Sequence, residues 1–334
     1  MSKEKVIQLF LRWIFVVVPT AVIGYITLRY VNFSYTAFNS GISSQAFYFT
    51  LGLLLSYSLY FFRARWLITF AILWIGYWLI GKIIVKIAAD TLKRVTLELG
   101  GKSPNIFFPD ADWEAAVDGA LFGVFINQGE VCSAGSRILV EKKIYSKFVE
   151  AMTEKAKRIK LGAPLERDTK MGPLVSKEQY DRVSSYLDLG KKEAKVAIGG
   201  GHPKQFSKGY YVEPTIFYDV ENSARIAREE IFGPVASVIP FDGESEAIRI
   251  ANDTPYGLAA AVWTRDIYKA FRVVKSLRAG IIWVNHMQPT YVEAPWGGYK
   301  QSGFGRELGP WGLEEYLETK QVFVNLDETP IGWY

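Results

Sequence analysis

One cysteine and two histidines are the only thiol and imidazole groups in 334 residues. Cys132 has no second thiol to pair with, so an intrachain disulfide is impossible and a Cys-rich zinc site is excluded. His202 and His286 are too few for a histidine-rich metal site, and no metal is expected. A reduced, cytosol-facing environment is compatible with a lone thiol but not demanded by it. Charge is scarce as well, at 22% of residues against 49% hydrophobic and 15% aromatic. That balance excludes a disordered chain or a coiled coil. Acids are almost missing from the first eighty residues, which hold Lys3, Lys5, Arg12, Arg29, Arg63 and Arg65 against Glu4 alone. The whole net charge of +5 therefore lies there, and the remainder is balanced. A basic excess confined to the most apolar stretch is a membrane pattern, so no nucleic-acid partner is expected.

Within that stretch, residues 13–28, 30–62 and 66–81 carry no charge. A spanning helix needs about 20 apolar residues, and terminal Trp, Arg and Lys shorten the requirement by snorkelling. The pattern predicts two to four transmembrane α-helices, with three the best count, and a lipid bilayer as partner. A signal peptide is the alternative for the first segment, but no A-x-A-like cleavage site follows clearly. Basic residues on the two sides of three spans tie, so the positive-inside rule gives no orientation.

Length suggests two or three domains, and the texture changes near residue 81. Residues 1–80 are read as the membrane region and 81–334 as an α/β region. Residues 95–99 alternate and end at Gly100-Gly101, a strand-to-turn signal. Residues 145–159 place Phe148, Val149, Met152 and Ala156 at helical spacing. Strands are predicted at 235–240, 258–263 and 281–284, with helices at 245–251 and 267–277. This alternation predicts a substantially parallel sheet. Neither an internal repeat nor a low-complexity linker is evident.

Cys132 lies in Asn127-Gln-Gly-Glu-Val-Cys132-Ser-Ala-Gly135, where small neighbours permit close approach. By itself the segment leaves two readings open, a buried inert thiol and a nucleophile that needs a base or a pKa-lowering environment. His202 reads as part of an exposed turn. His286, after an apolar strand, reads as a satisfied core group. Glu98 is the other candidate: on a strand it shares a face with Thr96, as a solvated carboxylate or as a general base.

The motifs then add up. Leu97-Glu-Leu-Gly-Gly-Lys-Ser-Pro104, Asn127-Gln-Gly-Glu-Val-Cys132, Glu229-Glu-Ile-Phe-Gly-Pro-Val235 and Pro295-Trp-Gly-Gly-Tyr-Lys-Gln-Ser-Gly303 stand in the order found in NAD(P)-dependent aldehyde dehydrogenases. Met171-Gly-Pro-Leu174 and Asn252-Asp-Thr-Pro-Tyr-Gly-Leu258 match too. From about residue 81 onward the chain resembles the C-terminal half of that family, most closely its betaine aldehyde dehydrogenases. The resemblance implies a catalytic domain over about residues 100–290, with remnants of the cofactor and oligomerisation parts at 291–334. It implies an aldehyde substrate and NAD or NADP as cofactor. In these roles Cys132 attacks the aldehyde, and Glu98 deprotonates the water that hydrolyses the resulting thioester. Glu230 bonds the ribose beside the nicotinamide, Phe232 packs near it, and Trp296 lines the pocket for a quaternary ammonium. Use of NAD would place the catalytic part in the cytoplasm.

Two departures from the family pattern stand out. Ile126 occupies a position near the nucleophile where relatives often carry an aromatic. The family's N-terminal half, with most of the Rossmann-like dinucleotide domain and the asparagine of the oxyanion hole, has no counterpart in residues 1–80, so the dinucleotide fold is expected as an incomplete remnant. Three functions therefore follow as expectations: an aldehyde dehydrogenase, a catalytically incomplete remnant or artificial join, and a cofactor-free Cys132 esterase. A homo-oligomer is implied through residues 322–325, which join an intersubunit sheet in the family, although the partner strands belong to the half without a counterpart.

Overall fold

The computed structural model describes residues 81–334. Residues 81–91 belong to one compact unit, in which 81–89 are helical. Residues 92–334 form a second unit, and the rest of the fold concerns it alone.

Its centre is a seven-stranded sheet. In chain order the elements are β1 (Leu97–Glu98), β2 (Pro104–Phe107), α1 (Trp113–Phe125), β3 (Arg137–Glu141), α2 (Tyr145–Ala156), α3 (Lys177–Glu193) and β4 (Lys195–Ile198). Then come β5 (Thr215–Tyr218), α4 (Arg225–Arg228), β6 (Val235–Phe241), α5 (Gly243–Asn252), β7 (Ala259–Trp263), α6 (Ile267–Ser276), β8 (Ile281–Val284), β9 (Gly303–Phe304) and α7 (Gly309–Glu314). The strand order is β4-β5-β6-β3-β2-β7-β8, and only the edge strand β4 runs antiparallel to its neighbour. β1 and β9 form a separate antiparallel pair, with Glu98 opposite Gly303.

The parallel strands are apolar on both faces because helices cover both, and neighbouring residues alternate between two cores. Ile106, Leu139, Ile239 and Val262 pack with Val183, Tyr186 and Leu187 of α3 and with Ile250 of α5. Phe107, Ile138, Val140, Val238 and Trp263 pack with Val117, Ala120 and Val124 of α1 and with Phe148 and Met152 of α2. Each large side chain buried in this way contributes roughly 1.5–3 kcal/mol of transfer free energy. Asp112 caps α1 by accepting from the Ala115 N–H, and Ser176 caps α3 through the Gln179 N–H. Lys195, exposed on β4, guards the sheet edge.

The prediction of a parallel α/β sheet agrees with this architecture. The predicted transmembrane spans lie in residues 1–80, outside the described residues. Among the described residues no helix is long and apolar enough to cross a membrane. The longest of the named helices, α3, has 17 residues and carries Lys177, Glu178, Asp181, Arg182 and Asp188, charges that water must solvate.

The segments that run into β2, β3 and β6 all reach the sheet at the amino ends of three adjacent parallel strands. Glu98 to Gly101 precede β2, Cys132 precedes β3, and Glu230 to Gly233 precede β6. Open α/β sheets more often place their ligands at the carboxyl ends; here the chemistry-bearing residues gather at the opposite edge.

Candidate active site

Cys132 follows α1 through a tight turn. Ile126, half-buried, ends the helix by donating its N–H to the Phe122 carbonyl. Asn127 (φ 49°), Gln128 (φ 59°) and Gly129 (φ 73°) then take left-handed backbone in succession. For Asn and Gln such a conformation costs of order 1 kcal/mol or more, and it persists only where the surroundings enforce it. Two side chains of the turn do so. Gln128 Oε1 accepts the Gly172 N–H at 3.2 Å, and Glu130 Oε1 accepts the Val175 N–H at 3.1 Å. The segment Met171-Gly-Pro-Leu174 thus clamps the turn that carries the thiol.

Glycines let three backbones cross here. A Cβ on Gly101 would lie 2.5 Å from the Cys132 carbonyl oxygen, and one on Gly129 would lie 2.2 Å from the Gly233 carbonyl oxygen. A Cβ on Gly100 would meet the carboxyl of Glu230 at 2.0 Å. That carboxyl folds over the glycine pair, and its Oε1 accepts the Gly101 N–H at 3.1 Å. Ser302, fully buried, fixes the same turn by donating to the Gly100 carbonyl at 2.7 Å. Glu230's own carbonyl accepts from Arg182, and the carbonyl of Phe232, itself left-handed at φ 58°, accepts from Gln179. The Phe232 ring is half-buried and forms no aromatic pair among the described residues.

Glu98 stands on the exposed β1 and reaches Trp296, whose indole N–H donates to Glu98 Oε2 at 3.1 Å. Trp296 pairs backbone to backbone with Glu307 through two 2.7 Å hydrogen bonds. Its ring centroid lies 6.4 Å from that of Trp283.

Electrostatics connect these groups. Burial raises the Cys132 thiol above its usual range; the carboxylates of Glu230 and Glu98 push it further, and the backbone N–H of Ser133 pulls it back. Desolvation by surrounding protein also raises Glu98, with help from Glu307, while the Trp296 hydrogen bond and Arg306 oppose the rise. Glu230 is raised by burial against the Gly101 hydrogen bond, Arg182 and Lys102. Lys102, only 1% exposed, is lowered to about 7, mainly by burial and then by Arg137.

The structure therefore gathers Cys132, Glu98, Glu230 and Trp296, with Ile126 on the turn that leads to the thiol. The two histidines stay apart from this group. His202 sits exposed in its predicted turn, bonded to the carbonyls of Tyr211 and Phe206. His286 is not a core group: it is exposed and bonds the backbone of Met287, because β8 ends at Val284 and the chain has already left the sheet. Sequence reasoning passed over Lys102, Ser133, Glu307 and Gln288. Lys102 stands inside a recognised motif, but nothing in the spacing shows that its ammonium is buried.

A thiol within electrostatic reach of two carboxylates, beside a tight glycine crossing, could act as a nucleophile if a base took its proton. The family model that matches residues 71–322 is the aldehyde dehydrogenase family, and the chain belongs to it. It is 50% identical over 255 residues to the chloroplastic betaine aldehyde dehydrogenase of Atriplex hortensis, a match covering 76% of this chain and 51% of that one. It is equally identical over 257 residues to the betaine aldehyde dehydrogenase of Bacillus subtilis (strain 168), covering 76% and 52%. Among solved structures, the NAD+ complex of betaine aldehyde dehydrogenase from Staphylococcus aureus superposes with a TM-score of 0.73 at 48% identity, covering 77% of this chain and 52% of the other. The chain spans about half the length of the curated relatives it matches.

These matches also correct the predicted multi-pass membrane location. The similarity lies with chloroplastic and bacterial dehydrogenases, and no described helix can cross a membrane. The apolar composition of residues 1–80 gave rise to that prediction and lies outside the described residues.

Proposed function

We propose that this chain oxidises an aldehyde to its carboxylic acid, with Cys132 as nucleophile and Glu98 as base. The observation that carries the proposal is the Gly101–Cys132 crossing. The thiol beside it lies within electrostatic reach of two carboxylates, Glu98 on β1 and Glu230 on the segment that runs into β6.

A raised thiol is neutral near pH 7 and must lose its proton as it attacks. Glu98, itself raised, is a better proton acceptor than an ordinary carboxylate, which suits it to that transfer. Sγ bonds the aldehyde carbon, and the carbonyl oxygen takes the electron pair. The Cys132 backbone N–H would hold that oxyanion; one such donor is typically worth ~3 kcal/mol. Glu98 releases the thiol's proton to solvent and, after oxidation to the thioester, takes a proton from water. The hydroxide adds to the carbonyl, the S–C bond breaks, and the acid leaves.

NAD or NADP, when bound, supplies the hydride acceptor. Glu230 and Phe232 would hold its ribose end. One carboxylate oxygen of Glu230 is committed to the Gly101 N–H, which leaves the other to accept a ribose hydroxyl. The Trp283–Trp296 ring pair supports an aldehyde carrying an apolar or cationic head, and Ile126 stands on the turn that leads to the thiol. Betaine aldehyde is the first substrate to test, and an aromatic in place of Ile126 should tighten its binding.

NADH absorbance with betaine aldehyde, measured beside p-nitrophenyl acetate cleavage, tests the proposal. NADH formation supports it. Ester cleavage without NADH would instead support the cofactor-free esterase, for which Cys132 and Glu98 suffice. Absence of both activities would leave the incomplete remnant.

A further inference from the structure

Outside the residues given a role so far, one backbone strain and one unpaired donor coincide. Gln288 lies on the segment between β8 and Trp296, with φ 73°, a left-handed conformation that glutamine rarely adopts. Its Nε2 is buried without a hydrogen-bond partner. Leaving a buried amide donor unsatisfied is itself costly. Yet the segment is firmly held on both sides of Gln288. Asn285, at its start, exchanges two hydrogen bonds with Thr264 at 3.0 and 2.9 Å. Met287, 1% exposed, fills the space over Gly123 and Gly135, where added Cβ atoms would lie 2.7 and 2.9 Å from it. The Pro289 carbonyl accepts the Trp283 indole N–H at 3.0 Å.

What this costly arrangement delivers is one contact: Gln288 Oε1 accepts the hydroxyl of Ser133 at 2.7 Å. Ser133 is 1% exposed and directly follows Cys132. Its backbone N–H is the leading group that stabilises the thiolate against burial and the two carboxylates. Swapping the amide's oxygen and nitrogen would keep one arm on Ser133 and still leave the other buried and unpaired, so the tether does not depend on that assignment.

We propose that Gln288 is a positioning residue: through the Ser133 hydroxyl it fixes the Ser133 N–H against the Cys132 sulfur and so favours formation of the thiolate. The proposal rests on Cys132 being a nucleophile, but its test does not require turnover. Cys132 is the only cysteine of the chain. Its alkylation by iodoacetamide, followed by mass spectrometry across pH, therefore reads that thiol alone in the full-length protein. Gln288→Met, close in size but unable to accept from Ser133 through a carbonyl, should move the alkylation midpoint upward. Alkylation at a fixed pH below the midpoint should slow by about fivefold, the effect of roughly 0.7 of a pKa unit. Ser133→Ala should do the same, Ser133→Thr should keep the wild-type midpoint, and the double variant should add nothing to either single change. A midpoint unmoved in Gln288→Met, or fully additive effects in the double variant, overturns the proposal. If Gln288→Met fails to fold, the Ser133→Ala and Ser133→Thr pair decides the matter: equal midpoints in the two overturn it. A wild-type protein that oxidises no aldehyde but shows these shifts sinks the dehydrogenase reading and leaves this one standing.

Discussion

The inner and outer halves of the site are built on opposite principles. The inner half, around Cys132, Glu230 and Lys102, is made of backbone. Gly101 and Gly129 let chains cross and Gly100 and Gly233 admit the Glu230 and Val183 side chains where no Cβ fits, and the charged groups there are largely desolvated. The outer half sits on the short β1–β9 pair and the Trp296–Glu307 bridge, with Glu98 and Glu307 exposed and Trp296 half-buried. Glu98 is raised there first by desolvation and then by Glu307, and Trp296 and Arg306 oppose the rise. The difference implies that the inner half tolerates no change of shape, whereas the outer half accepts changes of shape and responds to changes of charge.

The largest expected effect strikes the inner half. Cys132→Ala should abolish aldehyde oxidation and ester cleavage alike, by at least about a thousandfold, as removal of a nucleophile generally does. Measurable turnover of either substrate would mean that the thiol is a bystander. Glu98→Gln should come next, with a loss of about a hundredfold or more in the rate of thioester hydrolysis. Because Glu98 must be ionised to act as a base and its pKa is raised, the wild-type rate should climb with pH through that raised value. The glutamine variant should lose this limb and keep only the more alkaline rise that belongs to Cys132. A pH profile of single-turnover rates separates the two limbs. An unchanged acid limb would remove Glu98 from the chemistry and make the outer half a scaffold.

Lys102 probes the inner half through stability. Its native pKa is lowered to about 7 from an ordinary 10.5, so between those values the unfolded chain holds a proton that the folded chain lacks. Stability should therefore rise with pH across that window, by up to about tenfold in the unfolding constant per pH unit. Lys102→Met, which removes the titrating amine, should flatten the rise. Thermal melts from pH 7 to pH 10, read side by side for the two proteins, check it. Parallel curves would show that the ammonium keeps its proton in the fold and that the inner half is wetter than its packing suggests.

Legibility in the sequence cuts across that division. The parallel sheet was legible because β7 and β8 are unbroken apolar runs, and β6 is apolar but for Ser237, between helical stretches. Cys132, Glu98, Glu230 and Trp296 were legible because each lies in a motif of the resemblance. The helix α1 was not, since Ala116, Val117, Ala120, Leu121, Gly123, Val124 and Phe125 are all buried and leave little amphipathic contrast to read. The predicted strand at 95–99 shrank to Leu97–Glu98, because its one strand partner among the described residues is the two-residue β9, some two hundred positions away. Burial of Lys102 and the Ser133–Gln288 tether also depend on contacts between distant segments, which no local spacing encodes.

Trp296 gives the smallest effect and the sharpest test of the outer half. Its indole N–H donates to Glu98 and lowers that carboxyl's pKa, against the rise caused by desolvation and Glu307. Trp296→Phe keeps an aromatic ring but removes the donor. A hydrogen bond to a charged group is worth ~1.5–3 kcal/mol in a buried setting and less where water competes, as at this exposed carboxylate. Glu98 should therefore titrate higher in the variant, and the acid limb of the rate should shift toward alkaline pH. At a pH on that limb the rate should fall by about threefold, with little change on the plateau. Loss on the plateau with no shift of the limb would mean that the ring acts on substrate rather than on Glu98. The outer half would then share the inner half's dependence on shape, and the contrast between them would fail.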